Sequence, residues 1–213
     1  YLEISARAGS MIALGWGDTV SGITRNLGRL IPVNTSFVTL CGGVMNYLSE
    51  RTTDSVGTPL SGFRYPFLVI PTPLMVSSRK LRDQMISEPE VKEVMEVAKS
   101  ADISMVGIGS LMPSTEFSRF GYKSEKELFS LKKSGAVGEM HGEYFNTEGH
   151  SLQIEHHHRL ITIRLETLRN MKHVVGVAGG KEKTDAIAAA IRGGIIHSLI
   201  TDEMTAQSLS SGS

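Results

Sequence analysis

The chain has 213 residues, of which 40% are hydrophobic and 21% charged, as is typical of one sizeable globular domain. Its 22 basic and 22 acidic residues balance to a formal charge of zero, which argues against a broad nucleic-acid-binding surface on this segment. Cys41 is the single cysteine, which excludes an intramolecular disulfide and is typical of a protein of the reducing cytoplasm. No apolar run reaches the roughly 18 residues that a membrane-spanning helix needs.

The first half of the chain alternates short apolar runs with glycine turns and helix signals. Residues 12–20 predict a strand, a turn at Gly15–Gly17, and a helix that Asp18 or Thr19 caps and that runs through Leu27. The next predicted elements are a strand at 36–43 that ends in a glycine pair and a strand at 64–71. They are followed by helices from 79 (capped at Ser77-Ser78) and from 89, and by a strand at 103–110 that ends in a Gly-x-Gly turn.

The second half ends in a strand–helix–strand unit that contains the strongest signals in the chain. Residues 174–178 predict a buried strand, Gly179-Gly180 a turn, and the alanine-rich run 184–191 a helix. Residues 198–201 predict another strand, after which Asp202 or Thr205 caps a final helix. Before this unit, a helix is predicted at 126–133 and an antiparallel excursion at 136–149, with a turn at Asn146–Gly149.

Strands that alternate with helices predict an α/β fold: a Rossmann-like, mainly parallel sheet flanked by helices on both faces. Ligands of such sheets bind beyond the carboxyl ends of the strands, where the glycine turns of this chain gather. We therefore expect the functional site at that edge of the sheet.

Two of these turns are candidate anion sites. The first runs through Gly15, Trp16, Gly17, Asp18 and Thr19, where backbone amides and the Thr19 hydroxyl are suited to a phosphate or to sugar hydroxyls. A plain strand-to-helix turn explains the same glycines. The second turn carries Lys181 and Lys183 at a helix start, where free N–H groups and the helix dipole favour an anion. Solvated surface charges are the alternative interpretation of the two lysines.

Other candidate residues are less specific. Glu139 interrupts an apolar run, so it is either an acceptor for sugar hydroxyls, a base, or a surface carboxylate after a turn. The run His156-His157-His158 does not converge on one point, so we expect packing or exposure, not a metal site. Neither a dinucleotide nor a P-loop motif is present, and we expect no cofactor.

Several motifs follow one another in a specific order and spacing: residues 12–20, Cys41-Gly42-Gly43, 71–78, 106–109, 135–149 and 174–206. Together they make nearly the whole chain resemble the sugar-binding effector domains of SorC/DeoR-type bacterial transcriptional regulators. The resemblance implies a sheet like that of sugar-phosphate isomerases and deaminases, without catalysis. It also implies an N-terminal helix-turn-helix in a full-length member, so we expect residues 1–213 to be a single effector domain that starts after it.

Carried over residue by residue, the resemblance assigns ligand contacts to both halves of the chain. Asp18 and Thr19 match phosphate or hydroxyl contacts of the first loop, and Gly42 and Gly43 match the second loop. Glu139 matches the acidic residue that binds sugar hydroxyls, and Lys183 matches the lysine that reaches the ligand. Arg119 matches a ligand-contacting arginine more loosely, because the loop differs in length.

The resemblance also implies the partners. The ligand is expected to be a phosphorylated sugar, or a phosphorylated autoinducer, that modulates operator binding by a dimer or tetramer. Cys41 stands where a bisphosphate-sensing branch carries arginine, which favours a monophosphate. The competing class is an active sugar-phosphate isomerase or deaminase, for which the sequence offers Glu139 but no convincing partner. An oligomerisation module without a ligand is a third, weaker interpretation.

Overall fold

A computed structural model describes residues 1–25, 31–43, 65–112 and 124–211 of the chain. Its strands, in chain order, are β1 (Met11–Leu14), β2 (Ser36–Thr39), β3 (Phe67–Leu68), β4 (Ile103–Gly107), β5 (Gly109–Ser110), β6 (Gly138–Met140), β7 (Glu143–Phe145), β8 (Val174–Val177) and β9 (Ser198–Ile200). Six of them form one sheet in the order β3-β2-β1-β4-β8-β9, and every pair is parallel. The predicted α/β fold with a mainly parallel sheet is confirmed.

The predicted helices begin close to the residues that the sequence indicates, whereas the short helix at Leu2–Ser5 was not predicted. The helices are α1 (Leu2–Ser5), α2 (Asp18–Arg25), α3 (Arg79–Ser87), α4 (Pro89–Lys99), α5 (Glu125–Lys133), α6 (Leu165–Leu168), α7 (Thr184–Arg192) and α8 (Glu203–Ser211), with 3-10 turns at Glu155–Arg159 and Lys181–Lys183. Ser78 caps α3 by accepting a hydrogen bond from Leu81 N at 3.2 Å, as predicted. The predicted end of α2 at Leu27 lies outside the described residues.

Both faces of the parallel sheet are buried, and this explains why its strands are continuous apolar runs. Successive residues of a strand point to opposite faces, so Ile12 and Ala13 of β1 belong to different core clusters. Helices α4, α6 and α7 supply residues to the Ala13 face, whereas α1 and α2 supply residues to the Ile12 face. No helix in the described part of the chain is long and apolar enough to cross a membrane.

A second, antiparallel sheet of three strands lies at the end of β4. Its strand order is β5-β6-β7, and Gly109 of β5 pairs with Glu139 of β6. The strand predicted within 103–110 ends at Gly107, the first glycine of the predicted Gly-x-Gly turn. The prediction did not include a second strand at Gly109–Ser110, where the chain enters the second sheet. The expected antiparallel excursion is confirmed, as is its turn at Asn146, whose Oδ1 accepts hydrogen bonds from two backbone amides.

Candidate functional site

The topology places a crevice at the carboxyl ends of β1 and β4. From β1 the chain proceeds outward to β2 and β3, and it then returns to the other side of β1 to form β4. The strand order reverses between β1 and β4, which is where parallel α/β sheets bind ligands. The turns that follow β1, β2, β4 and β8 all lie at this edge of the sheet because the four strands are parallel.

The first glycine turn follows β1 directly. Gly15 N donates a hydrogen bond to Met105 O at 2.8 Å, so the pairing with β4 continues one residue beyond the strand. Trp16 is half-buried and packs against an apolar cluster that includes Cys41. Gly17 has a positive φ of 123°, Asp18 is the first residue of α2, and Thr19 is exposed. The strand–turn–helix prediction is confirmed, and ligand contacts by these residues stay predictions.

The second turn is closed by the protein's own backbone. Gly42 N donates to Ile161 O at 3.0 Å, and Gly43 N donates to Thr72 O at 2.7 Å. The amides of Gly42 and Gly43 are therefore occupied, and any ligand contact there would use other atoms. Cys41 is buried, and burial and the nearby charge of Glu139, in that order, raise the pKa of its thiol to about 12.

Glu139 is the buried acidic residue of this edge. Its side chain is only 9% exposed, and its Oε2 accepts a hydrogen bond from Gly142 N at 2.9 Å. Gly109 is required beneath it, since a Cβ at Gly109 would overlap the Glu139 carboxyl group. Burial raises the pKa of Glu139, while the Gly142 hydrogen bond and the charge of Lys183 oppose that rise. The interpretation of Glu139 as a surface carboxylate is wrong.

Lys183 lies in the 3-10 turn before α7, close enough for its charge to act on Glu139. It is half-buried, whereas Lys181 in the same turn is exposed. None of the ion pairs between described residues includes Lys183. The Lys183 ammonium group is therefore a cation that lies near the buried Glu139 carboxylate but forms no ion pair with it.

The turn at Gly179-Gly180 differs from the expectation of free N–H groups. Gly180 N donates to the Asp202 carboxylate at 3.1 Å and to Thr205 Oγ1 at 2.8 Å. The backbone N–H of Lys183 donates to Gly180 O. The expectation is wrong for these two amides because groups of the same chain already accept their hydrogen bonds: the Asp202 carboxylate and the Thr205 hydroxyl for Gly180, and a backbone carbonyl for Lys183.

His141 is a residue that the sequence analysis missed. With Gly142 it forms the two-residue turn between β6 and β7, and both residues have positive φ, 51° and 80°. This pattern is typical of a type I′ hairpin turn, which a His-Gly pair between two short apolar runs could have suggested. The imidazole is 2% exposed and lies against Gly15, where a Cβ would overlap its Nε2 atom.

Two further predictions concern residues away from this cluster. His157 Nε2 accepts a hydrogen bond from Tyr144 N at 2.8 Å, and its ring stacks on Tyr144, so the expected packing role is confirmed for this histidine. No group of metal-binding side chains occurs among the described residues. Arg119 lies outside them.

Together, the described residues bring a buried carboxylate, a lysine and a glycine turn to one edge of the sheet. A carboxylate accepts hydrogen bonds from hydroxyl groups, and an unpaired ammonium attracts an anion. The arrangement is suited to a small molecule that carries both hydroxyls and a negative charge.

The comparisons with known proteins indicate a sugar-binding domain. A family model described as "Putative sugar-binding domain" matches residues 1–210. The transcriptional regulator LsrR of Enterobacter sp. (strain 638) is 35% identical over 205 residues, which cover 94% of this chain and 61% of that protein. The erythritol catabolism regulatory protein EryD of Brucella abortus (strain 2308) is 29% identical over 207 residues, which cover 97% of this chain and 65% of that protein.

A solved structure shares the fold. The full-length sorbitol operon regulator SorC of Klebsiella pneumoniae matches with a TM-score of 0.81 at 22% identity, over 96% of this chain and 68% of that chain. The chain spans less than two thirds of the length of the curated relatives that it matches.

Proposed function

This chain belongs to the family of sugar-binding domains of bacterial transcriptional regulators, and on that premise we propose that it binds a phosphorylated sugar as the effector of such a regulator. The observation that carries the proposal is the buried Glu139 carboxylate at the carboxyl edge of the parallel sheet. Lys183 is close enough for its positive charge to lower the pKa of that carboxylate. These two groups recognise different parts of one ligand.

Glu139 binds the hydroxyl groups of the sugar. Gly142 N is its one hydrogen-bond donor among the described residues, so the carboxylate has unused acceptor sites. A buried carboxylate gains more from a hydroxyl donor than an exposed one does, because water competes less for its lone pairs. Burial also fixes the side chain, which reduces the entropy that binding costs.

The phosphate binds between the first glycine turn and Lys183. Helix α2 begins at Asp18, so the positive end of its dipole faces the turn at residues 15–19. Lys183 adds a full positive charge that no carboxylate of the described residues neutralises within ion-pair distance. The Gly179-Gly180 turn contributes this lysine, not its own amides.

The ligand carries one phosphate. A second phosphate would need a further cation at the second loop, where this chain has Cys41. The raised pKa of the buried thiol keeps it neutral at physiological pH, so it supplies no charge of either sign. Two of the similar proteins are named after the polyols erythritol and sorbitol, so the ligand class includes polyol phosphates as well as sugar phosphates.

Binding modulates operator DNA through a separate DNA-binding domain of the regulator; the curated relatives extend beyond the matched region. The chain assembles as a dimer or tetramer in the cytoplasm, and the ligand shifts that assembly between DNA-competent and released states. The energetic demand is modest, since a coupling of about 1–3 kcal/mol changes affinity by roughly 5–150-fold. The domain is not an enzyme in this proposal.

One observation favours the alternative of a sugar-phosphate isomerase or deaminase. His141 lies two residues from Glu139 and is buried in the same hairpin, so the carboxylate has a possible acid–base partner. The two functions differ in outcome: a sensor releases its ligand unchanged, whereas an enzyme converts it.

The deciding experiment is a thermal-shift screen against sugar and polyol monophosphates, bisphosphates and their unphosphorylated parents. At a hundredfold excess over its dissociation constant, a ligand adds about 2.7 kcal/mol to the free energy of unfolding. We expect a monophosphate to stabilise the protein, its unphosphorylated parent to fail, and Lys183→Ala to abolish the effect. Lys181→Ala is the matched control, because Lys181 shares the turn but is exposed.

The other outcomes are equally informative. Chemical conversion of the bound compound, followed by NMR, would favour the enzyme. Stabilisation by a bisphosphate alone would contradict the role assigned to Cys41. A panel without any stabilising compound would contradict the effector function and leave oligomerisation as the role of the domain.

A further inference from the structure

The His141 imidazole is a buried polar group that no described residue engages. Neither Nδ1 nor Nε2 has a hydrogen-bond partner in the described part of the chain, although the side chain is only 2% exposed. Buried polar atoms are rarely left in this state, since each loses its hydrogen bonds to water without replacement. Burial lowers the pKa of His141 to about 4, so the ring is neutral near pH 7 and offers one donor and one acceptor.

A purely structural role does not explain this ring. His157, on the other side of the same hairpin, has its Nε2 atom engaged by Tyr144 N at 2.8 Å and its Nδ1 atom 3.4 Å from Ser151 Oγ. His141 makes no such contact with any described residue, and its positive φ of 51° favours Asn or Gly over histidine. The chain therefore keeps a large polar side chain where the turn itself would be better served by a smaller residue.

The surroundings of His141 indicate what its ring faces. The ring packs against Gly15 of the first glycine turn, at the position where a side chain on Gly15 would otherwise lie. The next residue, Gly142, donates its N–H to the Glu139 carboxylate. His141 thus lies between the turn proposed to hold the phosphate and the carboxylate proposed to hold the hydroxyls.

We propose that His141 is a further ligand-binding residue, whose neutral imidazole exchanges hydrogen bonds with a hydroxyl of the sugar or polyol next to the one that Glu139 binds. This inference rests on the proposed effector function. A hydroxyl both donates and accepts, as does a neutral imidazole, whereas a phosphate only accepts. The pair formed by Glu139 and His141 therefore selects adjacent hydroxyls, while Lys183 selects the phosphate.

The test compares two probes on the same variants: the phosphosugar or phosphopolyol that stabilises the wild type, and inorganic phosphate. His141→Asn preserves the turn, because Asn readily adopts positive φ, but its side chain is too short to reach the same hydroxyl. We expect His141→Asn to lower the affinity for the phosphosugar at least tenfold. Its affinity for inorganic phosphate should stay within twofold of that of the wild type. Lys183→Ala should lower the affinity for both probes. His150→Asn, which changes an exposed histidine of the next turn, should lower neither affinity.

A second measurement separates contact from structural support. The ring nitrogens of His141 should shift in ¹H–¹⁵N spectra when the phosphosugar binds, and this signal is identified by its absence from the Asn variant. Equal affinity of wild type and His141→Asn for the phosphosugar, with unchanged ring shifts, would overturn the inference alone. Parallel loss of inorganic phosphate binding in His141→Asn would overturn the hydroxyl assignment. Failure of every phosphorylated probe to bind the wild type would overturn the effector function, and this inference with it.

Discussion

At the residue scale, Glu139 combines the cost of a buried charge with the benefit of a directional acceptor. The Gly142 N–H and the Lys183 charge offset part of that cost, and burial still raises the pKa of the carboxyl group. A protein tolerates such a residue when the site uses it, since perturbed pKa values are frequent at functional sites.

Glu139→Gln is expected to separate these two effects. The amide oxygen still accepts from Gly142 N, but the negative charge that attracts hydroxyl donors is lost. A hydrogen bond to a charged group contributes about 1.5–3 kcal/mol, so ligand affinity should fall by roughly one to two orders of magnitude. Calorimetric titration with the ligand found in the thermal-shift screen measures the loss. Unchanged affinity would remove Glu139 from the site.

The same substitution has a pH signature in the protein without ligand. The pKa of folded Glu139 lies above its ordinary value of 4.5, so the folded state keeps a proton that the unfolded state releases. The stability that this group contributes is therefore present below pH 4.5 and is lost as the pH rises through the folded pKa. Urea unfolding should show that Glu139→Gln gains stability relative to the wild type over this rise. A difference that stays constant with pH would contradict the burial of the charge.

At the element scale, Asp202, which follows β9, is hydrogen-bonded to the turn that precedes Lys183. Asp202 Oδ1 caps α8 by accepting from Thr205 N at 2.9 Å, and Oδ2 accepts from Gly180 N at 3.1 Å. One carboxylate thus joins the start of α8 to the turn before α7. Hydrogen bonds to its carboxylate lower the pKa of Asp202. The largest effect is that of the Thr205 backbone N–H, followed by the Thr205 hydroxyl and the Gly180 N–H.

Asp202→Asn should therefore reduce both stability and ligand affinity. The amide can still cap α8, but its NH2 group cannot accept from Gly180 N, so the turn that positions Lys183 loosens. Because the folded pKa is lowered, the stability from Asp202 is present above its ordinary pKa of 3.8 and is lost as the pH falls through the folded pKa. The melting temperatures of variant and wild type should differ at neutral pH and converge in acid.

The matched control is Glu203→Gln, at the exposed neighbouring residue whose carboxylate contacts only Gln207 among the described residues. It should leave the melting temperature and the affinity near those of the wild type. An Asp202→Asn variant that binds the ligand normally would show that Lys183 is positioned without the Asp202 contact.

At the scale of the whole molecule, the proposed site joins three parts of the chain that are distant in sequence. They are the turn after β1, the β6–β7 hairpin of the second sheet, and the turn before α7. A ligand that contacts all three should restrict them together, since their opening would require its release.

Hydrogen exchange can test this coupling. Adding a saturating phosphosugar should slow amide exchange at residues 15–19, 139–142 and 181–183 in parallel. Helix α3, which has no buried residue, serves as an internal reference and should exchange at the same rate with and without ligand. Protection of only one of the three segments would contradict a site shared among them.

The sequence by itself determined the fold class, and it named candidate residues for the site. Apolar runs ending in glycine turns, such as residues 12–20 and 174–180, predicted parallel strands because strands buried on both faces need no polar alternation. Glu139 is a candidate because it interrupts an apolar run and Lys183 because it lies in a glycine turn before a helix, and the family resemblance assigns ligand contacts to both; these contacts stay predictions. The motif order that predicted an effector domain is confirmed by a family match over residues 1–210.

Only the tertiary structure decided which groups of the site are occupied and which are unpaired. The His141 ring fills the space beside Gly15, Gly109 makes room for Glu139, and Asp202 takes the Gly180 amide. Each of these contacts joins residues that lie far apart in the chain, so no local spacing or propensity encodes it. They exist because the parallel sheet brings its turns to one edge, next to the second sheet. A sequence pattern predicts that edge in outline but does not determine which atoms meet there.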